Sequence, residues 1–193
     1  MKEKIIENAS ELFINQGFKV VTMDDIAVHM GISKKTIYQH FENKQMLIDA
    51  VLTKLFVDVN VEIEKIEQMP INAIEALVAL RNIGIRFTKD QQSPVIMQLI
   101  KYYPNSYKRV EEWQTKHLEQ FKINNLKRGI TEGLYKPDLN TQFIAKMYQA
   151  GITAIFHSNA MNFHELNQLH LEYHISAIAT PKGIQILHHI LNN

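Results

Sequence analysis

The stretch from Lys34 to Lys44 gathers side chains with the chemistry to hold a nucleic acid: Lys34, Lys35, Thr36, Tyr38, Gln39, His40 and Lys44. Ammonium groups neutralise backbone phosphates, and hydroxyl and imidazole groups hydrogen-bond them. Gln39 carries a donor and an acceptor on one amide, the pair that matches the adenine edge in the major groove. Lys34 and Lys35 open one expected helix and Lys44 opens the next. A cation at the positive end of a helix is unfavourable by about 0.3–1 kcal/mol. An anion docked there reverses the sign, because the free N–H groups and the lysines then face it together. The alternative is a set of solvated lysines that tolerate their positions.

The elements that must position this stretch are legible from apolar spacing and punctuation. A first helix is expected over Lys2 to Gln16, with Ile5, Ile6, Ala9, Leu12 and Phe13 on its inner face. Gly17 ends it and Phe18 folds back on Phe13. Thr22 and Asp25 form a capping-box-like pair that opens a second helix, whose inner face is Ile26, Ala27 and Met30. Gly31 breaks that helix, and Ser33 caps a third, short one over Lys34 to His40. Ile37 and Phe41, four apart, point inward and leave the polar set outside. Helix, turn containing Gly, short helix is the helix-turn-helix pattern.

The rest of the chain reads as more helices, so the fold class is all-α. Asn43 caps a long fourth helix reaching Gln68, before Pro70. Further helices are expected over Asn72 to Lys89, from Ser93 with Pro94 in its first turn, and from Pro104 to Gly129. Others span Asn140 to Asn159, Phe163 to Ala179 and Pro181 to Leu191. Phe87, Met97, Tyr102, Tyr103, Tyr107, Trp113, Phe121, Met147 and Tyr148 form an aromatic and Met-rich middle. It reads either as plain core or as the wall of a pocket for a small lipophilic effector. Arg81, Arg86 and Arg109 read as a solvated face rather than as anion ligands. Two apolar stripes, Phe143, Ile144, Met147, Gly151 and Ala154 on one helix and Leu166, Leu169, Tyr173, Ala177 and Ile178 on the next, suit a four-helix bundle between two protomers. The alternative is that they cover the protomer's own core. His170 and His174 are one turn apart, a workable two-ligand metal spacing, but acids near them are few, and the expectation is no metal and no cofactor.

Composition excludes more than it suggests. The 193-residue chain has no cysteine, so disulfides, thiolate metal sites and cysteine nucleophiles are out. Residues 1 to 55 carry seven lysines and seven acids, and the whole chain has a formal net charge of +1. Any case for DNA therefore rests on where the charges sit, not on their number. The uncharged stretch from Met147 to His164 contains Gln149, His157, Ser158, Asn159 and Asn162, which a membrane span would not choose. No signal-peptide core follows the first charges, and a cytoplasmic, membrane-free location is expected. No nucleophile–base pair or metal constellation can be assembled, so no enzymatic activity is expected.

Residues 1 to about 50 resemble the DNA-binding domain of the TetR (tetracycline repressor) family. The resemblance is carried by Ala9, Leu12, Phe13, Gly17, Phe18, Thr22, Ile26, Ala27 and Leu47, and above all by the run from Gly31 to Lys44, Gly-Ile-Ser-Lys-Lys-Thr-Ile-Tyr-Gln-His-Phe-Glu-Asn-Lys. It implies a DNA-binding domain over residues 1–47, with the helix-turn-helix at 22–41, and an effector-binding and dimerisation domain over 48–193. It also implies DNA-facing roles for Thr22, Ser33, Lys34, Lys35, Thr36, Tyr38, Gln39, His40 and Lys44, with Tyr38, His40 and Lys44 on phosphates. A small residue, often Gly, is frequent in the family where Lys35 stands, and there this chain departs. The function implied is a homodimeric, ligand-responsive repressor of a double-stranded DNA operator. The competing reading is a helical small-molecule or metal-binding protein with a vestigial DNA-binding domain.

Overall fold

The computed structural model describes residues 1–86, 95–158 and 162–192, and every regular element among them is helical. In chain order these are α1 (Lys2–Gln16), α2 (Met23–Met30), α3 (Lys34–Tyr38), α4 (Lys44–Gln68), α5 (Ala73–Arg86), α6 (Val95–Tyr102), α7 (Pro104–Trp113), a π-helical turn (Gln114–Leu118), α8 (Glu119–Thr131), α9 (Thr141–His157), α10 (Phe163–Ile178) and α11 (Pro181–Leu191). Among the described residues no helix is long and apolar enough to cross a membrane.

Caps explain most of the helix starts. Thr22 and Asp25 bond reciprocally, each taking the other's backbone N–H, and fix the start of α2. The Ser33 hydroxyl accepts from Thr36 N at the start of α3, and Asn43 Oδ1 accepts from Met46 N at the start of α4. Asn72, Asn140, Asn162 and Thr180 cap α5, α9, α10 and α11 in the same way.

The described residues form two compact units. The first takes Met1–Asn60 with Arg86–Glu112, and the second takes Val61–Ile85 with Trp113–Asn193. In the first, Ile5, Ala9, Phe13, Phe18, Val21, Ile26, Ile37, Phe41, Leu47 and Ile48 bury one continuous core, and Leu99 and Val110 of α6 and α7 belong to it. That unit therefore extends beyond residues 1–47. Ser106 of α7 is buried and donates to Asp49 of α4, and Arg109 reaches Asp49 O and Thr53 Oγ1. In the second unit α9 packs on both α8 and α10, and α11 on α10. Its centre holds Ile74, Leu134, Tyr135, Tyr148, Leu171 and Ile175. Thr180 N and Lys136 N bond Leu134 O and Ile178 O, tying the turn after α8 to the start of α11.

The helix expected from Pro104 to Gly129 is continuous in the structure, with a π-helical turn at Gln114–Leu118 inside it. Extra residues in that turn let His117 stack on Trp113 at 5.8 Å between ring centroids, with His117 Nδ1 3.2 Å from Trp113 O. No Gly or Pro marks the place, so sequence punctuation could not reveal it.

Candidate nucleic-acid interface

The short α3 is built so that one side faces the core and the other faces solvent. Ile37 is fully buried, and Phe41 is drawn inward by a turn in which His40 N and Phe41 N both bond Ile37 O. The helix ends at Tyr38, two residues earlier than expected, so Gln39 and His40 sit in that turn. Lys34, Lys35, Tyr38, Gln39 and His40 are exposed, as are Thr22 and Ser33. Gly31 ends α2 with φ 64°, a left-handed conformation that a β-carbon would strain, and this sets the corner between α2 and α3.

Several of these groups already have internal partners. Lys34 Nζ lies 2.6 Å from Asp24 Oδ1, and that hydrogen bond holds the ammonium above its usual pKa. Thr36 is half-buried and its hydroxyl meets Ser33 Oγ at 2.8 Å. Thr22 donates its hydroxyl to Asp25, which keeps that carboxylate below its usual pKa. Lys44 departs most from the outward role implied for it. It is half-buried, its ammonium donates to Lys19 O at 3.2 Å, and it lies over the Tyr103 and Phe13 rings at 5.6 and 5.9 Å. Lys44 thus also fastens the turn after α1. Gln98 does the same from α6, accepting from Lys19 N at 2.9 Å while lying so close to Gly17 that a β-carbon there would overlap its amide.

Of the described residues expected to line an effector pocket, Met97, Tyr102, Tyr103 and Tyr107 belong to the first unit and Trp113, Phe121, Met147 and Tyr148 to the second. Tyr103 and Tyr107 pack on the helix-turn-helix core, Tyr103 donating to Phe18 O, and Tyr102 is exposed beside Lys19. Met97, on α6, is half-buried in that same unit. Trp113, half-buried beside the π-turn, stacks on His117. Phe121 lines a cavity of about 190 Å³ in the second unit, with Glu67, Ala76, Asn124, Asn125 and Arg128. Tyr148 is buried, Met147 is exposed, and Phe87 lies outside the described residues.

The two dimer stripes divide by exposure. Phe143, Met147 and Tyr173 are 58%, 51% and 74% exposed, large values for such side chains, and Leu169 and Ala154 are exposed with them. Ile144 and Leu166 are half-buried. Ile178 is buried in the protomer's own core, and a β-carbon on Gly151 would overlap the His170 ring, so these two positions face inward.

Sequence reasoning missed the polar interior of the second unit. Lys122 is 5% exposed, and burial pushes its ammonium down to about 8. It donates to Gln149 Oε1, whose amide nitrogen donates to Gln114 in the π-turn, and it lies over the Tyr148 ring. His170 and His174 pack on that same ring. Burial drives His174 down to about 4, and His170 Nε2–H donates to Tyr148 O. Arg81, read as solvated, donates to Asn167, and burial lowers its pKa. Arg109 is likewise engaged internally. One signal was available: Lys122 lies four and seven residues before Leu126 and Gly129, on the buried stripe of α8. Among the described residues no group of three His, Asp or Glu is placed to hold a metal ion.

Residues 5–51 match the model of the bacterial regulatory proteins of the tetR family. The chain is 22% identical over 151 residues to the HTH-type transcriptional repressor KstR2 of Mycolicibacterium smegmatis, a match covering 74% of this chain and 71% of that protein. It is 43% identical over 49 residues to IcaR of Staphylococcus aureus, the negative transcriptional regulator of the biofilm operon icaADBC. That match spans 26% of IcaR and lies within a quarter of this chain. A transcriptional regulator from Cytophaga hutchinsonii has a similar fold, with TM-score 0.75, 20% identity, and 92% and 98% of the two chains covered. So does a TetR-family regulator from Marinobacter aquaeolei, with TM-score 0.70, 20% identity, and 97% and 95% covered. Residues 5–51 thus carry a helix-turn-helix that matches the bacterial regulatory proteins of the tetR family and leaves the polar side of α3 open.

Proposed function

We propose that this protein is a ligand-responsive repressor that binds a two-fold DNA operator as a homodimer. The observation that carries the reading is the exposure of Lys35, Tyr38, Gln39 and His40 on a helix held in place by buried Ile37. In this reading residues 1–47 contact the operator, and residues 48–193 hold the effector and the partner protomer. Repression, rather than activation, is supported by the names of the two relatives, both negative regulators. The site of action is the cytoplasm, where the operator is.

Dimerisation is supported by the apolar face of α9 and α10, on which Phe143, Met147, Leu169 and Tyr173 are exposed among the described residues. Apolar faces of this kind mark interaction surfaces on soluble proteins. An effector would act by binding one arrangement of the paired recognition helices better than the other. Its effect on operator affinity must then equal the operator's effect on its own affinity.

Footprinting on selected DNA tests the reading, with protection expected over two half-sites about one helical turn apart. Light scattering should return about twice the 22.4 kDa chain mass, and Ala154→Glu should return one chain mass, because it places an unpaired charge in the interface. A wild-type monomer at high concentration contradicts the dimer.

A further inference from the structure

Two lysines distant in sequence meet at one exposed ring of the first unit. Lys19, in the turn after α1, holds its Nζ 4.6 Å from the centroid of the Tyr102 ring. Lys101, in the last turn of α6, holds its own at 5.5 Å from the same centroid. The Lys19 ammonium, joined by that of Lys101, hydrogen-bonds the Tyr102 hydroxyl and keeps that phenol below its usual pKa. All three residues are exposed. Lys54 and Lys108 of the same unit pair with Asp58 and Glu112, but among the described residues neither Lys19 nor Lys101 has a carboxylate at ion-pair distance. Two cations gathered at one ring repel each other, and an anion shared between them turns that repulsion into attraction.

Backbone bonds fix where this pair stands. Gln98 of α6 accepts from Lys19 N, Tyr103 donates to Phe18 O, and Lys44 Nζ donates to Lys19 O at 3.2 Å. The end of α6 is thereby fastened to the turn that leads into α2. Lys44 opens α4, and its charge acts on Asp25 in the first turn of α2. The pair is therefore continuous with the starts of α2 and α4, where Thr22 and Lys44 stand. Duplex DNA carries one negative charge about every 1.7 Å along its axis, so a strand that meets Thr22 and Lys44 continues past them as a row of phosphates. That continuity favours DNA over an acidic protein as the partner.

We infer that Lys19 and Lys101 bind the DNA backbone beside the helix-turn-helix, so that the DNA-facing surface runs from α2 and α4 onto the end of α6, outside residues 1–47. This rests on the DNA-binding reading above.

Binding of the full chain to a random-sequence DNA duplex over a salt series tests the inference. Lys19→Gln and Lys101→Gln leave every backbone bond of the turn in place, and melting curves check that each variant is folded. Each should weaken binding and flatten the dependence of log affinity on log salt by about 0.9 units per protomer bound, and the double variant by about twice that. Lys101→Arg keeps the cation and should keep the wild-type slope. Lys54→Gln removes the same charge beside Glu3 and Glu7, roughly 15 Å beyond Lys44 along α4 at about 1.5 Å per residue, and should match the wild type.

The inference is overturned if the double variant keeps the wild-type slope, if Lys54→Gln flattens it as much, or if Lys101→Arg loses as much as Lys101→Gln. Poly-L-glutamate is the second probe. Binding to it that needs the two lysines, with DNA binding indifferent to them, would assign the pair to an acidic protein and overturn the inference as well. A wild type that binds DNA while the double variant matches it removes this inference alone and leaves the reading of α3 standing. A wild type with no salt-dependent DNA binding removes both.

Discussion

The lysines of α3 and the lysine of α8 are the same residue in opposite settings. Lys35 stands in solvent, and Lys34 is held by an exposed carboxylate and lies over the Tyr38 ring. Lys122 is enclosed between an amide and an aromatic ring. The first pair keeps its charge at little expense and can trade water or Asp24 for a phosphate. The second bears the full penalty of desolvation, visible as an ammonium pushed down to about 8. The lesson is that the charge at the start of α3 is displayed, while that of Lys122 is built into the packing.

The largest expected effect follows from that contrast. Lys122 normally titrates near 10.5 and in the folded protein near 8, so between these values the unfolded chain binds more protons and stability rises with pH. Lys122 alone contributes on the order of 3 kcal/mol over that window, at about 1.4 kcal/mol per unit, and Tyr135 and Tyr148, whose phenols burial pushes up from 10.0, oppose the rise as the pH nears that value. Urea titrations across it should show the rise in the wild type and a flattened profile in Lys122→Met, while Lys35→Met should follow the wild type. A Lys122→Met profile that still rises as steeply would place the titrating group elsewhere.

His174 gives an effect of similar size at the acid end. Burial holds it at about 4 against the usual 6.5, so stability is lost as pH falls through that interval, where the unfolded chain takes up the proton first. His174→Phe should remove much of that loss, as read by thermal melting from neutral to mildly acid pH.

Shape complementarity comes next. Gly129 faces the ring of Tyr135, which is buried and cannot withdraw, so Gly129→Ala should cost about 1–3 kcal/mol in chemical denaturation. An unchanged midpoint would mean that Tyr135 repacks freely.

How much of this was legible in the sequence follows the same division. The first unit announces itself through local rules. Ser33 and Thr22 cap, Gly31 turns, Phe13 and Phe18 meet with ring centroids 5.0 Å apart, and α1 spans Lys2–Gln16 as expected. The outward set follows once Ile37 and Phe41 are assigned to the core. What could not be read depends on partners distant in sequence. Lys44 reads as an outward cation until Lys19 O and Tyr103 lie beside it. Tyr103 and Tyr107 read as pocket walls until α6 and α7 fold onto the helix-turn-helix core. Lys122, on a helix with Lys127 and Arg128, looks like another solvated cation until α9 covers it.

The smallest effects belong to the displayed charges. Asp24→Asn frees Lys34 and should leave thermal stability unchanged, because exposed ion pairs contribute little. It should raise retention on non-specific DNA a few-fold, about the value of one exposed cation-phosphate contact. Retention that stays the same would show that Lys34 does not face phosphate.

The central claim is that the open side of α3 reads DNA, and salt-dependent binding of Lys35→Ala and Gln39→Ala, on a selected operator and on random DNA, tests it most directly. Lys35→Ala should weaken both DNAs alike and flatten the dependence of log affinity on log salt by about one unit. Gln39→Ala should cost roughly 1–3 kcal/mol on the operator and much less on random DNA. Equal losses on both DNAs for Gln39→Ala would make Gln39 a positioning residue. A wild-type protein that binds neither DNA in a salt-dependent way would contradict the account of α2 and α3 as a DNA-reading unit.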